Sequence, residues 1–184
     1  TNRLKGHRVL FNFFTLISLC WTSLFLTSLP LGAFETTSKQ AILVDVATGT
    51  VLFEKNADER MAPSSMSKMM TIYQVFDALK EGSLSLDDKF LVSEKAWRKG
   101  GSKMYVSVNT RVNVEDLIKG VIVQSGNDAS IVIAEGLAGS EPAFALELNE
   151  LAKKLSMNNS SFVNSSGWPD PDHYTTARDL SKLA

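Results

Sequence analysis

The segment Pro63-Ser64-Ser65-Met66-Ser67-Lys68 opens an apolar helical pattern and constrains the fold of this chain more than any other feature. Pro63 favours a helix that begins just after it, because its fixed φ suits the first helical turn. The following apolar residues recur at helical spacing: Met69, Ile72, Tyr73, Phe76 and Leu79. This spacing predicts a helix with one buried face that ends at Glu81-Gly82-Ser83.

Ser65 and Lys68 are three residues apart, and on a helix this spacing places both side chains on one face, one turn apart. A serine hydroxyl is a weak nucleophile at neutral pH unless a neighbouring base takes its proton. A lysine amine can do so when burial or nearby positive charge lowers its pKa. We therefore predict Ser65, in the first turn of the helix, as nucleophile and Lys68 as general base. An ordinary amphipathic helix with a serine-rich start is the alternative.

Two neighbouring serines are given other roles. Ser64 is interpreted as the cap of the helix, because serine oxygens commonly accept hydrogen bonds from the first free N–H groups. Ser67 lies on another face than Ser65 and is interpreted as structural.

The composition is that of a globular protein with one domain of ordinary size. The 184 residues are 44% hydrophobic and carry a net charge of −1, which gives no reason to expect nucleic-acid binding. Cys20 is the only cysteine, and His7 and His173 are the only histidines. We therefore expect no cofactor, no metal centre and, once the leader described next is removed, no disulfide.

The first 33 residues have the pattern of a secretory signal peptide. Residues 1–8 are basic, residues 9–34 carry no charge, and Ala33 is suited to precede the cleavage site. An uncleaved anchor at the inner membrane is the alternative, because the apolar run is long. Either reading places residues 34–184 outside the cytoplasm, in the periplasm or on the outer face of the cell membrane.

The remaining pattern predicts an α+β domain. Strands are expected at residues 40–46 and 51–54, and residues 87–113 are expected to be irregular with a short hairpin around Val106–Val112. Further helices are expected at Val114–Val123, at 128–137, at 141–155 and from about Thr175. Two strands make no sheet that could hold these helices, so we expect the domain to be incomplete, with later strands following Ala184.

A second candidate motif, Ser125-Gly126-Asn127, lies in a turn between two predicted helices. Ser125 could relay a proton to a leaving amine, and Asn127 could bind a substrate amide or the amine of Lys68. Taken alone, the tripeptide is an ordinary turn signal.

Together the two motifs resemble the active site of the penicillin-binding proteins and serine β-lactamases. Within that superfamily the chain resembles the low-molecular-mass D-alanyl-D-alanine carboxypeptidases over nearly all of residues 34–184. The matching segments also include Ile42-Leu43-Val44-Asp45, Gly100-Gly101-Ser102-Lys103-Met104, Phe162-Val163-Asn164-Ser165-Ser166-Gly167 and Tyr174-Thr175-Thr176-Ala177-Arg178-Asp179-Leu180.

The resemblance implies an antiparallel sheet flanked by helices, with the nucleophile at the start of a buried helix. It implies that Ser65 attacks the carbonyl between the terminal D-alanines of a peptidoglycan stem peptide, with Lys68 as base. Ser125 would pass on the proton, and Asn127 would bind substrate. β-Lactam antibiotics would acylate Ser65 durably.

Two features depart from the family pattern. No Lys-Thr-Gly segment, which supplies a substrate cation and an oxyanion-hole N–H, occurs in these 184 residues. We attribute this to truncation and expect the fragment itself to be inactive. Trp168 stands where the family usually has an aliphatic residue, in a position without a proposed catalytic role.

Three alternatives stay open at this point. A D,D-endopeptidase uses the same motifs. A β-lactamase needs an extra deacylating base, and no Glu-x-x-x-Asn follows residue 156. A non-catalytic wall-binding remnant is the third. His173, in a very polar loop, is given no catalytic role.

Overall fold

A computed structural model describes residues 35–183, and the predicted leader therefore lies outside the described residues. A hairpin comes first in the unit that begins at Ser38. Its strands β1 (Ala41–Val44) and β2 (Val51–Lys55) pair antiparallel, with Leu43 opposite Phe53. The side chain of Asp45 accepts a hydrogen bond from the backbone N–H of Ala47 and holds the turn. The predicted hairpin is thus confirmed.

The first long helix, α1 (Lys68–Glu81), follows a 3-10 turn at Ser64–Ser67. Ser65 therefore lies in this 3-10 turn, not in the first α-helical turn as predicted. The interpretation of Ser64 as the cap was also wrong. Pro63 occupies the cap position without a side-chain hydrogen bond, and Ser64 has a φ of +48°. At its other end the helix stops at Gly82, in the left-handed conformation, as predicted.

The segment predicted to be irregular contains a second antiparallel pair. Strand β3 (Lys89–Leu91) pairs with β4 (Arg111–Asn113), and the short helix α2 (Glu94–Arg98) lies between them. The predicted hairpin around Val106–Val112 was wrong, because the pairing joins residues some twenty positions apart. Three-residue strands are too short to show a periodic pattern.

Three helices form the centre of the unit: α3 (Val114–Gln124), α4 (Asn127–Ala138) and α5 (Glu141–Lys154). The first eight residues of α4 are all buried, because α1, α2, α3, α5 and β3 pack around this helix. Large side chains with no exposed surface fill the core on both sides of α4, among them Val75, Leu117, Ile133, Phe144 and Phe162. The central helix thus fixes the position of the turn that precedes it.

The last element is the short helix α6 (Ala177–Leu180), which Thr176 caps through its side chain. The loop before it is joined to the rest by isolated backbone pairs, Met61 with Thr175 and Ser161 with Tyr174. Among residues 35–183, no single helix has the length and apolar composition to cross a membrane. The pair α4 and α5, bent by 83°, meets that criterion only when both helices are counted together.

Candidate active site

A hydroxyl and a buried amine face each other at the start of α1. The Nζ of Lys68 donates a hydrogen bond to the Oγ of Ser65 over 3.1 Å. Ser65 is exposed, whereas Lys68 is only 4% exposed. Burial disfavours the charged amine and lowers the pKa of Lys68 to about 8. A minority of these amines is therefore neutral at pH 7 and able to accept the serine proton.

Lys68 has a second partner that the sequence did not reveal. Its Nζ donates to the backbone carbonyl of Ser166 over 2.8 Å. The carbonyl lies in a tight turn organised by Asn164, whose Oδ1 accepts hydrogen bonds from the N–H groups of Ser166, Gly167 and Trp168. Asn164 thus fixes the acceptor that holds the amine beside Ser65.

A buried carboxylate supports this turn from behind. Glu141 accepts hydrogen bonds from the N–H and the hydroxyl of Ser165 and forms an ion pair with Lys95 at 2.7 Å. Burial alone would raise the pKa of Glu141, but the hydrogen bonds from Lys95 and Ser165 outweigh it and lower the pKa. Thr71 donates to the carbonyl of Ser165 and ties the same turn to α1. In the sequence, Glu141 shows only the pattern of a first-turn helix acid.

Gly167 allows the Asn164 turn to lie against the 3-10 turn Ser64–Ser67, which is called the nucleophile turn below. Its φ is +78°, and a Cβ added there would lie 1.7 Å from the carbonyl oxygen of Ser64 and 2.9 Å from the Oγ of Ser67. Only glycine permits this approach of two backbones. The position of Ser65 is therefore set by contact with a segment about a hundred residues later in the chain.

A cavity of about 280 Å³ opens at this pair. It is lined by Ser65, Lys68, Met69, Ile72, Val121, Ile122 and Ser125. Ser125 ends α3 with a φ of +52°, and the chain then turns directly into α4. The structure thus brings three of the four predicted site residues, Ser65, Lys68 and Ser125, to one cavity.

Asn127, the fourth predicted residue, is buried beside this cavity and not among its lining residues. Its Nδ2 donates to the carbonyl of Gly100 over 2.9 Å, and its backbone N–H donates to the carbonyl of Ser102 over 2.8 Å. The next residue, Asp128, accepts from the N–H groups of Met104 and Tyr105. The second motif therefore anchors the segment 100–105.

His173 contacts the nucleophile turn through Ser67 and has a structural role there. Its Nδ1 accepts a hydrogen bond from the N–H of Val163, so the proton of the neutral ring is on Nε2. Nε2 then donates to the Oγ of the fully buried Ser67 over 2.7 Å. Ser67 and His173 thus link the nucleophile turn to the loop after α5, in accord with a structural role for Ser67.

The buried imidazole should make stability depend on pH. Burial lowers the pKa of His173, more than the charges of Asp170 and Glu141 raise it. The folded protein binds the proton less tightly than the unfolded chain, so this contribution is complete above the ordinary pKa of about 6.5 and is lost as the pH falls below it.

Urea unfolding at pH 7.5 and pH 5.5 checks this expectation. His173→Leu should cost about 1–3 kcal/mol at pH 7.5, because it leaves the N–H of Val163 without its acceptor. The variant should also lose stability less steeply than the wild type between these pH values. Equal slopes would contradict the assignment of His173 as a buried neutral group.

Comparison with known proteins agrees with this geometry. The Peptidase S11 family model, described as D-alanyl-D-alanine carboxypeptidase, matches residues 27–184. The D-alanyl-D-alanine carboxypeptidase DacF of Bacillus subtilis is 40% identical over 147 residues, which are 80% of this chain and 38% of that protein.

Two solved structures share the fold. The D-alanyl-D-alanine carboxypeptidase DacD from Francisella tularensis matches with a TM-score of 0.79 and 43% identity, over 82% of this chain and 36% of that one. Penicillin-binding protein 5 from Haemophilus influenzae matches with a TM-score of 0.79 and 37% identity, over 82% and 44%. The predicted α+β transpeptidase-like fold is thus confirmed. The chain spans less than half the length of each of these three proteins.

Proposed function

This chain belongs to the D-alanyl-D-alanine carboxypeptidase family, and on that premise we propose that the protein containing it is a serine-type carboxypeptidase of the cell envelope. Its substrate is a peptidoglycan stem peptide that ends in D-Ala-D-Ala. The observation that carries the proposal is the contact of Lys68 Nζ with Ser65 Oγ at 3.1 Å. Burial has already lowered the pKa of this amine to about 8, near the working pH, as a general base requires.

In the proposed first step, the neutral amine of Lys68 takes the proton of Ser65, and Oγ attacks the carbonyl between the two D-alanines. The resulting oxyanion lies at the start of the 3-10 turn and α1, where backbone N–H groups and the helix dipole favour negative charge. The carbonyl of Ser166 holds the ammonium formed on Lys68 in place.

In the second step the tetrahedral intermediate collapses. The C–N bond breaks, the proton passes from Lys68 through Ser125 to the leaving amine, and D-alanine departs. An ester on Ser65 remains. Water, activated by Lys68, then attacks the ester, the bond to Ser65 Oγ breaks, and the shortened peptide leaves with a new terminal carboxylate while Oγ regains its proton. Asn127, held by the carbonyl of Gly100, provides its remaining amide groups for the peptide backbone of the substrate.

The proposal concerns a protein that also carries a Lys-Thr-Gly strand. That strand would supply the second oxyanion N–H and a cation for the terminal carboxylate. No such segment occurs within the 184 residues, so these residues alone should be inactive. β-Lactams would acylate the same Ser65, because their amide mimics the D-Ala-D-Ala end.

Export belongs to the proposal, because peptidoglycan lies outside the inner membrane. Cleavage after Ala33 would release the domain, and an uncleaved leader would keep it attached to the membrane. N-terminal sequencing of the protein isolated from cells separates the two. A first residue at Phe34 supports the signal peptide, whereas retention of residues 9–33 establishes the anchor.

The activity of the full-length protein is tested with two peptides. A peptide ending in D-Ala-D-Ala should release one D-alanine, while the matched peptide ending in L-Ala-D-Ala should release none. Labelled penicillin should remain on Ser65 for many minutes. Rapid loss of the label would indicate a β-lactamase, and cleavage of crosslinked peptides alone would indicate an endopeptidase.

A further inference from the structure

We propose that Trp168 is a positioning residue that clamps the Gly100–Gly101 loop, and through it Asn127, against the Asn164 turn, whose Ser166 carbonyl holds the amine of Lys68. The inference rests on the proposed function for its catalytic consequence. Its structural part, the clamp itself, can be tested separately.

One side of the clamp is the contact of the indole with three consecutive residues. The Nζ of Lys99 lies 3.9 Å from the centroid of the Trp168 ring, in a cation–π arrangement. A Cβ added at Gly100 would lie 3.8 Å from Cη2 of the indole, and one added at Gly101 would lie 3.4 Å from Cζ3. The backbone of the loop therefore lies directly against the ring, with Lys99 over its face.

This loop also holds Asn127. The carbonyls of Gly100 and Ser102 accept the side-chain and backbone hydrogen bonds of Asn127. A Cβ at Gly101 would lie only 2.6 Å from Nδ2 of Asn127. The two glycines thus lie between the indole and the carboxamide, so that movement of the ring away from the loop would free Asn127 to shift.

The other side of the clamp is the turn at Asn164. The N–H of Trp168 donates to Oδ1 of Asn164, and its carbonyl accepts from Nδ2 of the same residue. The preceding Gly167 contacts Ser64. The backbone of Trp168 is therefore fixed without help from its ring. Removing the ring should release the loop while leaving Lys68 and its acceptor, Ser166, in place.

A side-chain truncation can therefore separate substrate positioning from proton transfer. Trp168→Leu should weaken the initial non-covalent complex with penicillin about fivefold, as expected for loss of one contact of this kind. The acylation rate constant at saturation, and the pH at which it is half-maximal, should stay as in the wild type.

The chain offers a matched control. Trp97 is 42% exposed, like Trp168, and also has a cation over its ring, Arg98 at 5.6 Å. No atom of Trp97 is among the nearest neighbours of a Cβ added at Gly100 or Gly101, whereas Trp168 is a neighbour of both. Trp97→Leu should therefore leave penicillin binding unchanged, whereas Trp168→Phe, which keeps an aromatic ring on the loop, should restore most of the binding lost in Trp168→Leu.

Hydrogen exchange tests the clamp without any activity. The backbone N–H of Asn127 bonds to Ser102 across the loop, so its exchange rate reports loop opening. It should exchange about fivefold faster in Trp168→Leu, and at the wild-type rate in Trp97→Leu. An unchanged exchange rate of this N–H in Trp168→Leu would overturn the clamp, whether or not the protein binds penicillin. Faster exchange with unchanged penicillin binding, or a shifted pH midpoint of acylation, overturns the positioning role. Absence of labelling in the wild type would instead refute the proposed function.

Discussion

Replacing Ser65 with alanine is expected to abolish covalent labelling of the full-length protein by a β-lactam, because Ser65 is the one hydroxyl among the described cavity residues that is hydrogen-bonded directly to an amine. Lys68→Met, which keeps an unbranched side chain one atom shorter but removes the amine, should slow labelling by about 10³-fold, within the range found for loss of a general base. Mass spectrometry of the labelled peptide and the time course of labelling measure the two effects.

The pH profile tests the role of Lys68 further. Only the neutral amine can take the proton, so the acylation rate should rise with pH up to the pKa of about 8 and level off above it. Lys68→Arg should remain slow at all these pH values, because a guanidinium stays protonated. Ser64→Gly is the control, since glycine suits the φ of +48° found there. Label on Ser64 or Ser67 in the Ser65→Ala protein would refute the assignment.

The second large effect is expected from a single methyl group at Gly167. A Cβ there would meet the carbonyl oxygen of Ser64 at 1.7 Å, so one of the two backbones must move. Gly167→Ala should lower the free energy of unfolding by about 2–4 kcal/mol, through overpacking together with an unfavourable φ. It should also slow acylation about 100-fold well below the melting temperature, because displacement of Ser65 by about 1 Å is costly for catalysis.

Gly139→Ala is the matched control for this experiment. Gly139 has nearly the same φ, +76°, but no atom lies within 4 Å of its added Cβ. It should lose only about 1 kcal/mol, from backbone strain alone, and label at the wild-type rate. Urea unfolding and labelling kinetics of the two variants separate strain from contact. Equal losses of stability and labelling rate in both variants would mean that the close approach of Gly167 to Ser64 contributes nothing to the effect.

Much of the fold could be predicted from the sequence because its helices are long, periodic and marked at their ends. Helices α3, α4 and α5 begin and end within about one residue of the predicted bounds. The β3–β4 pair was missed, because its three-residue strands are defined by their partners across a loop. Ser64 was misassigned as a cap because it takes a φ of +48° where its backbone lies against Gly167, an approach that no local pattern reveals.

The pairing of Ser65 with Lys68 could be predicted from the local sequence, whereas the residues that hold this pair in place could not. Ser65 and Lys68 are joined by helical geometry over three residues. The partner that fixes Lys68 is a backbone carbonyl, at Ser166, and a carbonyl has no sequence signature. Glu141 and Asn164, which hold that carbonyl through the turn, have the appearance of an ordinary helix acid and a loop residue until the fold brings them together.

The separation of 98 positions between Lys68 and its carbonyl partner has a consequence for how the protein matures. The hydroxyl and the amine are synthesised early and adjacent, but the amine is buried and its pKa lowered only when the Asn164 turn docks on α1. We expect a contact of such long range to form late in folding, because the closure of the intervening chain has to precede it. Unfolded or newly made chains therefore carry an ordinary serine beside an ordinary charged lysine. Reactivity toward a β-lactam then marks completed folding, and a labelled antibiotic counts native molecules rather than polypeptide.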